Sequence, residues 1–406
     1  MKEPLKEPLK EPSMRVTRTL RATVGVALTG ALLITASGTA SADQTRKDLW
    51  PLEAFGAEQL WKDATGKGVT VAVLDTGFRK THQDVKGQFL PEPYFGKATQ
   101  AEGAKNLKPG EDVLDHGTGM AAIIAGHGHG PGGSEGVKGL APEAKILPVP
   151  EYKNTGMATR WAVDHGADVI NMSYSEGRSA DTCESIHYAI SRGAVVVAGM
   201  GNDAATEKSY PVGCPGVIGV GAIDQYGKSA EFNNYNSDMD LLAPGVEIPA
   251  ATGRSDSSYH TENGNSGSTA YVSAAAALLK EKYPDLTPGQ IANRLVKTAG
   301  LPKDQQGLKL PDTHYGYGFI QPGPALRKDI PEGAKEGPLP MPKGKASAQL
   351  DAGAPDPDPP MGGKAAIHQA LLYGGIGLGV PVVVGAVVAL VVVSRRRKSA
   401  GGQSWG

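Results

Sequence analysis

The feature that most limits how this chain can fold is a set of short apolar runs that do not alternate. They lie at 69–74, 145–149, 169–172, 194–198 and 217–221, and several are rich in Val and Ile. A strand with one wet face alternates apolar and polar side chains. Runs without alternation fit strands covered on both faces. Helical stretches lie between them, near 120–125, 158–165, 183–192 and 266–283. A further helix is marked by Thr287 as N-cap, Pro288 at its first position, Gln290 completing a capping box and Gly300 as a stop. This alternation predicts an α/β domain: a mostly parallel central sheet, right-handed crossovers and helices on both faces.

Length and charge add bounds. The 406 residues allow one large domain with additional segments. A formal net charge of −1 gives no sign of a nucleic-acid partner. The 55 glycines and 6% aromatic content suit a close-packed domain with many tight turns.

Both ends differ from the middle. Residues 1–12 repeat Lys-Glu-Pro-Leu and carry nothing that could form a core; Met14 is an alternative initiator. Arg15, Arg18 and Arg21 precede an apolar run at 22–34, and Ala40-Ser41-Ala42 follows. That pattern is a secretory signal with its cleavage site. Residues 328–364 are rich in Pro, Gly, Lys and Asp, the composition of a stiff spacer. Residues 371–393 carry no charge and match the thickness of a bilayer core, and Arg395-Arg396-Arg397-Lys398 comes directly after. The expected organisation is an extension and signal at 1–42, a lead-in at 43–68 and the α/β domain at 69–327. A Pro-rich linker at 328–370, a transmembrane helix at 371–393 and a cytoplasmic tail at 394–406 complete it. The domain is expected outside the cell membrane and the tail inside. In an exported domain, the two cysteines, Cys183 and Cys214, are expected to form a disulfide.

Three strings carry candidate chemistry. Asp75 ends an apolar run and enters Thr76-Gly77, where a shielded carboxylate can orient an imidazole, or simply cap a turn. His116 precedes Gly117-Thr118-Gly119 at the head of an apolar helix; the dipole there disfavours the imidazolium. Ser266 lies between Asn265 and Gly267 at the head of another helix, where backbone N–H groups can hold an oxyanion. Ser268 is a rival nucleophile. Asn202 follows a strand through Gly199-Met200-Gly201 and offers an amide donor, or only a turn. His127 and His129 lie in a Gly-rich stretch with no carboxylate or thiol cluster in the sequence around them, the pattern of a solvated loop.

Taken together, these strings resemble the subtilisin-like serine proteases from about residue 66 to 326. Val71-Ala72-Val73-Leu74-Asp75-Thr76-Gly77 resembles the family's Asp motif, His116-Gly117-Thr118 its His motif and Gly264-Asn265-Ser266 its Ser motif. Tyr271-Val272-Ser273-Ala274 fixes the register of the Ser helix and selects Ser266 over Ser268. The order Asp, His, Ser is also that of subtilisin. Ile170 to Tyr174, Ala243-Pro244-Gly245 and Tyr315 to Gly318 are further landmarks. The resemblance implies a serine endopeptidase acting on a polypeptide. Its triad would be Asp75, His116 and Ser266, with Asn202 as oxyanion donor. Ser173, Tyr174, Ser175, Gly199, Met200 and Gly201 would border the substrate. Signal, domain, spacer and span together resemble the mycosins, which implies type VII secretion machinery as a partner. An inactive scaffold subunit of such a complex is the alternative. Three positions depart from the family: Asn265 replaces Thr, Ala270 replaces Pro and Gly119 replaces a second His. The family resemblance allows calcium, but no ligand set stands out, so neither a metal nor a cofactor is expected.

Overall fold

A computed structural model describes residues 44–91, 116–150 and 154–340. Its centre is a six-stranded sheet built from β1 (Thr70–Asp75), β4 (Lys145–Pro150), β5 (Val169–Met172), β6 (Val195–Gly199), β7 (Ile218–Ile223) and β8 (Leu241–Pro244), in the order β4-β1-β5-β6-β7-β8. Every pairing in it is parallel. Two small antiparallel pairs accompany it: β2 (His127–His129) with β3 (Glu135–Lys138), and β9 (Ile248–Ala251) with β10 (Tyr259–Glu262).

The non-alternating runs are explained by two cores. Val71 and Val73 of β1 join one hydrophobic cluster, and Ala72 and Leu74 join the other. Successive side chains of a strand point to opposite faces, so both sets must be apolar. The first cluster is built with α3 (His116–Ala125), α6 (Asn265–Lys282) and α7 (Pro288–Thr298). The second is built with α4 (Thr155–Asp164) and α5 (Ala180–Ser191). Helix α6 is apolar nearly all round because it is buried nearly all round.

Helix α7 starts as the sequence predicts. Gln290 N–H donates to Thr287 Oγ1 at 3.2 Å, and Thr287 N–H donates to Gln290 Oε1 at 3.0 Å. The helix also ends as expected: Thr298 is its last residue, Ala299 is the C-cap, and Gly300 just beyond pairs its backbone with Phe319. Strands β8, β9 and β10 were not predicted. Each spans four residues, β8 and β9 contain Pro, and β10 is largely exposed, so their periodic signal is weak.

Two flanking segments also pack on the domain. In the lead-in, α1 (Trp50–Phe55) and α2 (Ala57–Leu60) bring Leu60 into full burial and set Phe55 edge-on to Tyr271, ring centroids 5.7 Å apart. The expected spacer is corrected over 328–340. Arg294 donates to the carbonyl of Lys328 at 2.8 Å, Thr287 Oγ1 donates to that of Lys335 at 2.6 Å, and Leu339 is buried. The composition misleads here because this segment is anchored through its backbone, which any sequence can supply. The short helix before it, α8 (Pro322–Arg327), buries Leu326 in the first core.

The expected disulfide is present: Cys183 of α5 bonds Cys214, with Cα atoms 5.2 Å apart. No helix among the described residues is long and apolar enough to cross a membrane. The signal at 1–42 and the span at 371–393 lie outside the described residues.

Candidate active site

Within the sheet the chain passes from β1 to β4 on one side and from β5 to β6 on the other, so the winding reverses between β1 and β5. A parallel sheet opens a crevice at such a switch point, beyond the carboxyl ends of its strands. Asp75 is the last residue of β1, Ser173 follows the end of β5, and Gly199 ends β6.

Asp75 is buried, and one carboxylate oxygen accepts from the N–H of Thr76 at 2.6 Å. His116 begins α3, and its Nδ1 lies 2.8 Å and 2.9 Å from the two Asp75 oxygens. The two turns are locked together, since Gly117 N–H donates to the Thr76 carbonyl at 3.0 Å. Gly117 is required there: a Cβ would stand 2.6 Å from the Phe78 ring and 2.8 Å from the Gly77 carbonyl oxygen.

The His116 side chain is 32% exposed, enough to meet a substrate. Burial pulls its pKa down, but the Asp75 charge, the Asp75 hydrogen bond and the Glu262 charge outweigh it, raising the imidazole from 6.5 to about 9. This corrects the expectation that the helix start keeps the ring neutral. A helix end contributes about 0.3–1 kcal/mol, whereas an opposite charge in contact moves a pKa by about 1 to 3.

Ser266 is the second residue of α6, half-buried, and its hydroxyl donates to the Ser173 carbonyl at 3.2 Å. Among the described residues no hydrogen bond joins that hydroxyl to His116. A buried polar chain fixes the turn: Ser273 Oγ donates to Asn171 Oδ1 at 2.9 Å, Asn171 Nδ2 to Ser173 Oγ at 2.9 Å, and Ser173 Oγ to the Ser266 carbonyl at 3.0 Å. Asn171 and Ser273 were missed as site-supporting residues because their partners are distant in sequence. Ser268 is fully buried, and its hydroxyl donates to the carbonyls of Ala243 and Pro244 at 3.0 Å and 3.1 Å.

Asn202 Oδ1 accepts from the N–H of Asn265 at 2.9 Å, which leaves its Nδ2 as the free donor beside Gly264. Asn265 donates through its own Nδ2 to the Gly201 carbonyl at 2.6 Å. Asn265 therefore ties the Ser266 turn to the Asn202 loop twice, once through backbone and once through side chain.

The expected substrate-bordering residues divide. Ser173, Tyr174 and Ser175 continue from the end of β5, and Gly199 and Gly201 flank the end of β6. Met200 turns its side chain into the second core, where it is fully buried, and its N–H donates to the Val220 carbonyl at 3.0 Å.

His127 and His129 correct the solvated-loop expectation. They form β2, and His129 Nδ1 lies 2.6 Å from an oxygen of the fully buried Asp84, while its Nε2 lies 3.5 Å from Glu135. The Arg46 guanidinium donates to the carbonyls of Gly133, Glu135 and Gly136 at 2.9, 3.0 and 2.8 Å. The oxygens gathered around this Gly-rich turn thus already face a guanidinium and an imidazole, and do not fit a calcium ligand set.

A parallel α/β sheet with a carboxylate–imidazole pair at one strand end, facing a serine-headed helix, is the framework of a serine endopeptidase. Residues 66–318 match the model of the Subtilase family, and the chain belongs to that family. Subtilisin BL from Lederbergia lenta is 35% identical over 273 residues, covering 65% of this chain and 92% of subtilisin BL. Fervidolysin from Fervidobacterium pennivorans is 33% identical over 329 residues, covering 71% of this chain but only 45% of fervidolysin. Among solved structures, MycP1 from Mycobacterium smegmatis matches with a TM-score of 0.58 at 28% identity, covering 71% of this chain and 87% of that one. MycP1 from the ESX-1 type VII secretion system matches with a TM-score of 0.57 at 27% identity, covering 71% and 88%.

Proposed function

We propose that the chain hydrolyses peptide bonds with Ser266 as nucleophile, His116 as general base and then general acid, and Asp75 as the residue that orients His116. Ser266 Oγ attacks the scissile carbonyl carbon as its proton passes to His116 Nε2. The tetrahedral oxyanion is met by Asn202 Nδ2 and the Ser266 N–H. His116 returns the proton to the leaving amine, and water then releases the acyl group by the same route. For the first step the Ser266 hydroxyl must exchange the Ser173 carbonyl for the imidazole, a tightening that substrate binding commonly brings. An extended polypeptide would lie along 173–175 and 199–201.

The observation that carries this reading is the two-oxygen contact of Asp75 with His116 Nδ1, which leaves Nε2 as the ring nitrogen not engaged by Asp75. The test is a fluorophosphonate probe on the purified chain. Label at Ser266, and none with Ser266→Ala, is expected; equal labelling of both rejects the triad. In subtilisin, loss of the oxyanion-hole amide costs about 100- to 1000-fold in turnover. Asn202→Ala is expected in that range, measured as kcat on a peptide substrate.

The segments at 22–34 and 371–393, with the basic cluster after the latter, support a membrane-anchored enzyme whose catalytic domain faces outward. Likeness to MycP1 supports a link to type VII secretion. Membrane fractionation with protease protection tests the first point. Loss of type VII export in cells carrying Ser266→Ala tests the second.

A further inference from the structure

Glu262 is the last residue of β10, and its carboxylate is wedged between the helices that carry His116 and Ser266. A Cβ added to Gly267, the residue after Ser266, would stand 2.9 Å from Glu262 Oε1. A Cβ added to Gly119 would stand 3.9 Å from Glu262 Oε2. Gly119 is three residues after His116 on α3, so the two share a face of that helix. The missing side chains at 119 and 267 make the room this carboxylate fills.

Among the described residues, buried Glu262 Oε1 has no hydrogen-bond partner, and neither has the buried Tyr271 hydroxyl, one turn beyond Gly267 on α6. Glu262 Oε2 lies 3.4 Å from His260 Nε2 on its own strand. A carboxylate oxygen held from water without a donor is costly unless a positive charge faces it. Among the described residues, the titratable groups shown beside His116 or Glu262 are Asp75 on β1, His260 on β10 and Tyr271 on α6, and of these three His260 can carry positive charge. His116 becomes a second cation near this carboxylate once it has taken a proton.

We propose that Glu262 is a positioning residue acting through His116: a second carboxylate, besides Asp75, that stabilises the imidazolium formed when Ser266 gives up its proton. The proposal rests on His116 being the general base. In this role Glu262 acts from its place beside the His116 helix and takes no part in the proton transfer itself. Its charge is one of those that raise His116, which agrees with the geometry.

The test separates this proposal from the peptidase reading. The His116 ring is titrated by NMR in the full chain carrying Ser266→Ala, with and without Glu262→Gln. The midpoint is expected to fall by roughly half a pH unit or more when the charge is removed. In the Ser266-intact enzyme the acidic limb of kcat/KM is expected to move down by the same amount, with kcat on the alkaline plateau reduced several-fold and KM unchanged. A His116 midpoint that does not move overturns the proposal, even if activity falls. Should Glu262→Gln not fold, Glu262→Asp retains the charge one methylene further back; a smaller fall is expected, and an unmoved midpoint again overturns it. Because the titration needs no turnover, failure of the probe to label Ser266 would reject the peptidase reading without being mistaken for failure of this one.

Discussion

Ser266 and Ser268 are two residues apart on the same helix, yet their hydroxyls have different surroundings. Ser268 is fully buried with two carbonyls as partners, while Ser266 is half-buried at the crevice. Ser268→Ala is therefore expected to keep probe labelling and turnover, and to lose about 1 kcal/mol of stability in denaturant unfolding. His116 makes a pH prediction whose sign follows from its role. The base must be neutral to accept a proton, and its pKa is raised from 6.5 to about 9. Activity is thus lost as pH falls through the alkaline range, and kcat/KM measured from pH 6 upward is expected to climb until about pH 9. A profile already flat at neutral pH would contradict the electrostatics of the Asp75–His116–Glu262 group.

At the scale of elements, the chain uses strand ends and helix heads to bring its reactive groups together. β1 delivers Asp75, α3 begins with His116, and α6 begins one residue before Ser266. The Asn265 amide and the Ser273–Asn171–Ser173 chain then brace the head of α6 against the loops after β6 and β5. The disulfide braces a different pair, α5 and the loop before β7, across a sequence separation of 31. Closing a loop of that length restricts the unfolded chain by about 3–4 kcal/mol. Reduction is expected to lower the urea midpoint accordingly while leaving Ser266 labelling intact in native buffer, because no site residue lies on α5.

For the whole molecule, segments that composition assigns to the periphery belong to the core. Leu60, in the lead-in, is fully buried, and Phe55 packs on Tyr271 of the helix that carries Ser266. Leu60→Ala is expected to cost about 2–5 kcal/mol in chemical denaturation, the range for a large-to-small change in a close-packed interior. The segment at 328–340 packs on α7, so a chain ending at residue 340 is expected to match the longer chain's catalytic domain in thermal stability. One ending at 327 is expected to melt lower by several degrees.

Much of this molecule was legible before any coordinates. The buried strands show as unbroken Val- and Ile-rich runs, the capping box of α7 as Thr287 and Gln290, and the order of Asp75, His116 and Ser266 along the chain. Each is local: it depends on neighbours within a few residues, which the sequence displays directly. What the sequence left open depends on residues far apart in the chain. Only folding buried Ser268, set His129 against Asp84, bound 328–340 to α7 through backbone carbonyls, and fitted Glu262 into the space left by Gly119 and Gly267. The charge state of His116 belongs to the same group. Burial, which lowers its pKa, is opposed by Asp75 from the end of β1 and by the Glu262 charge, and both effects arise only in the packed chain.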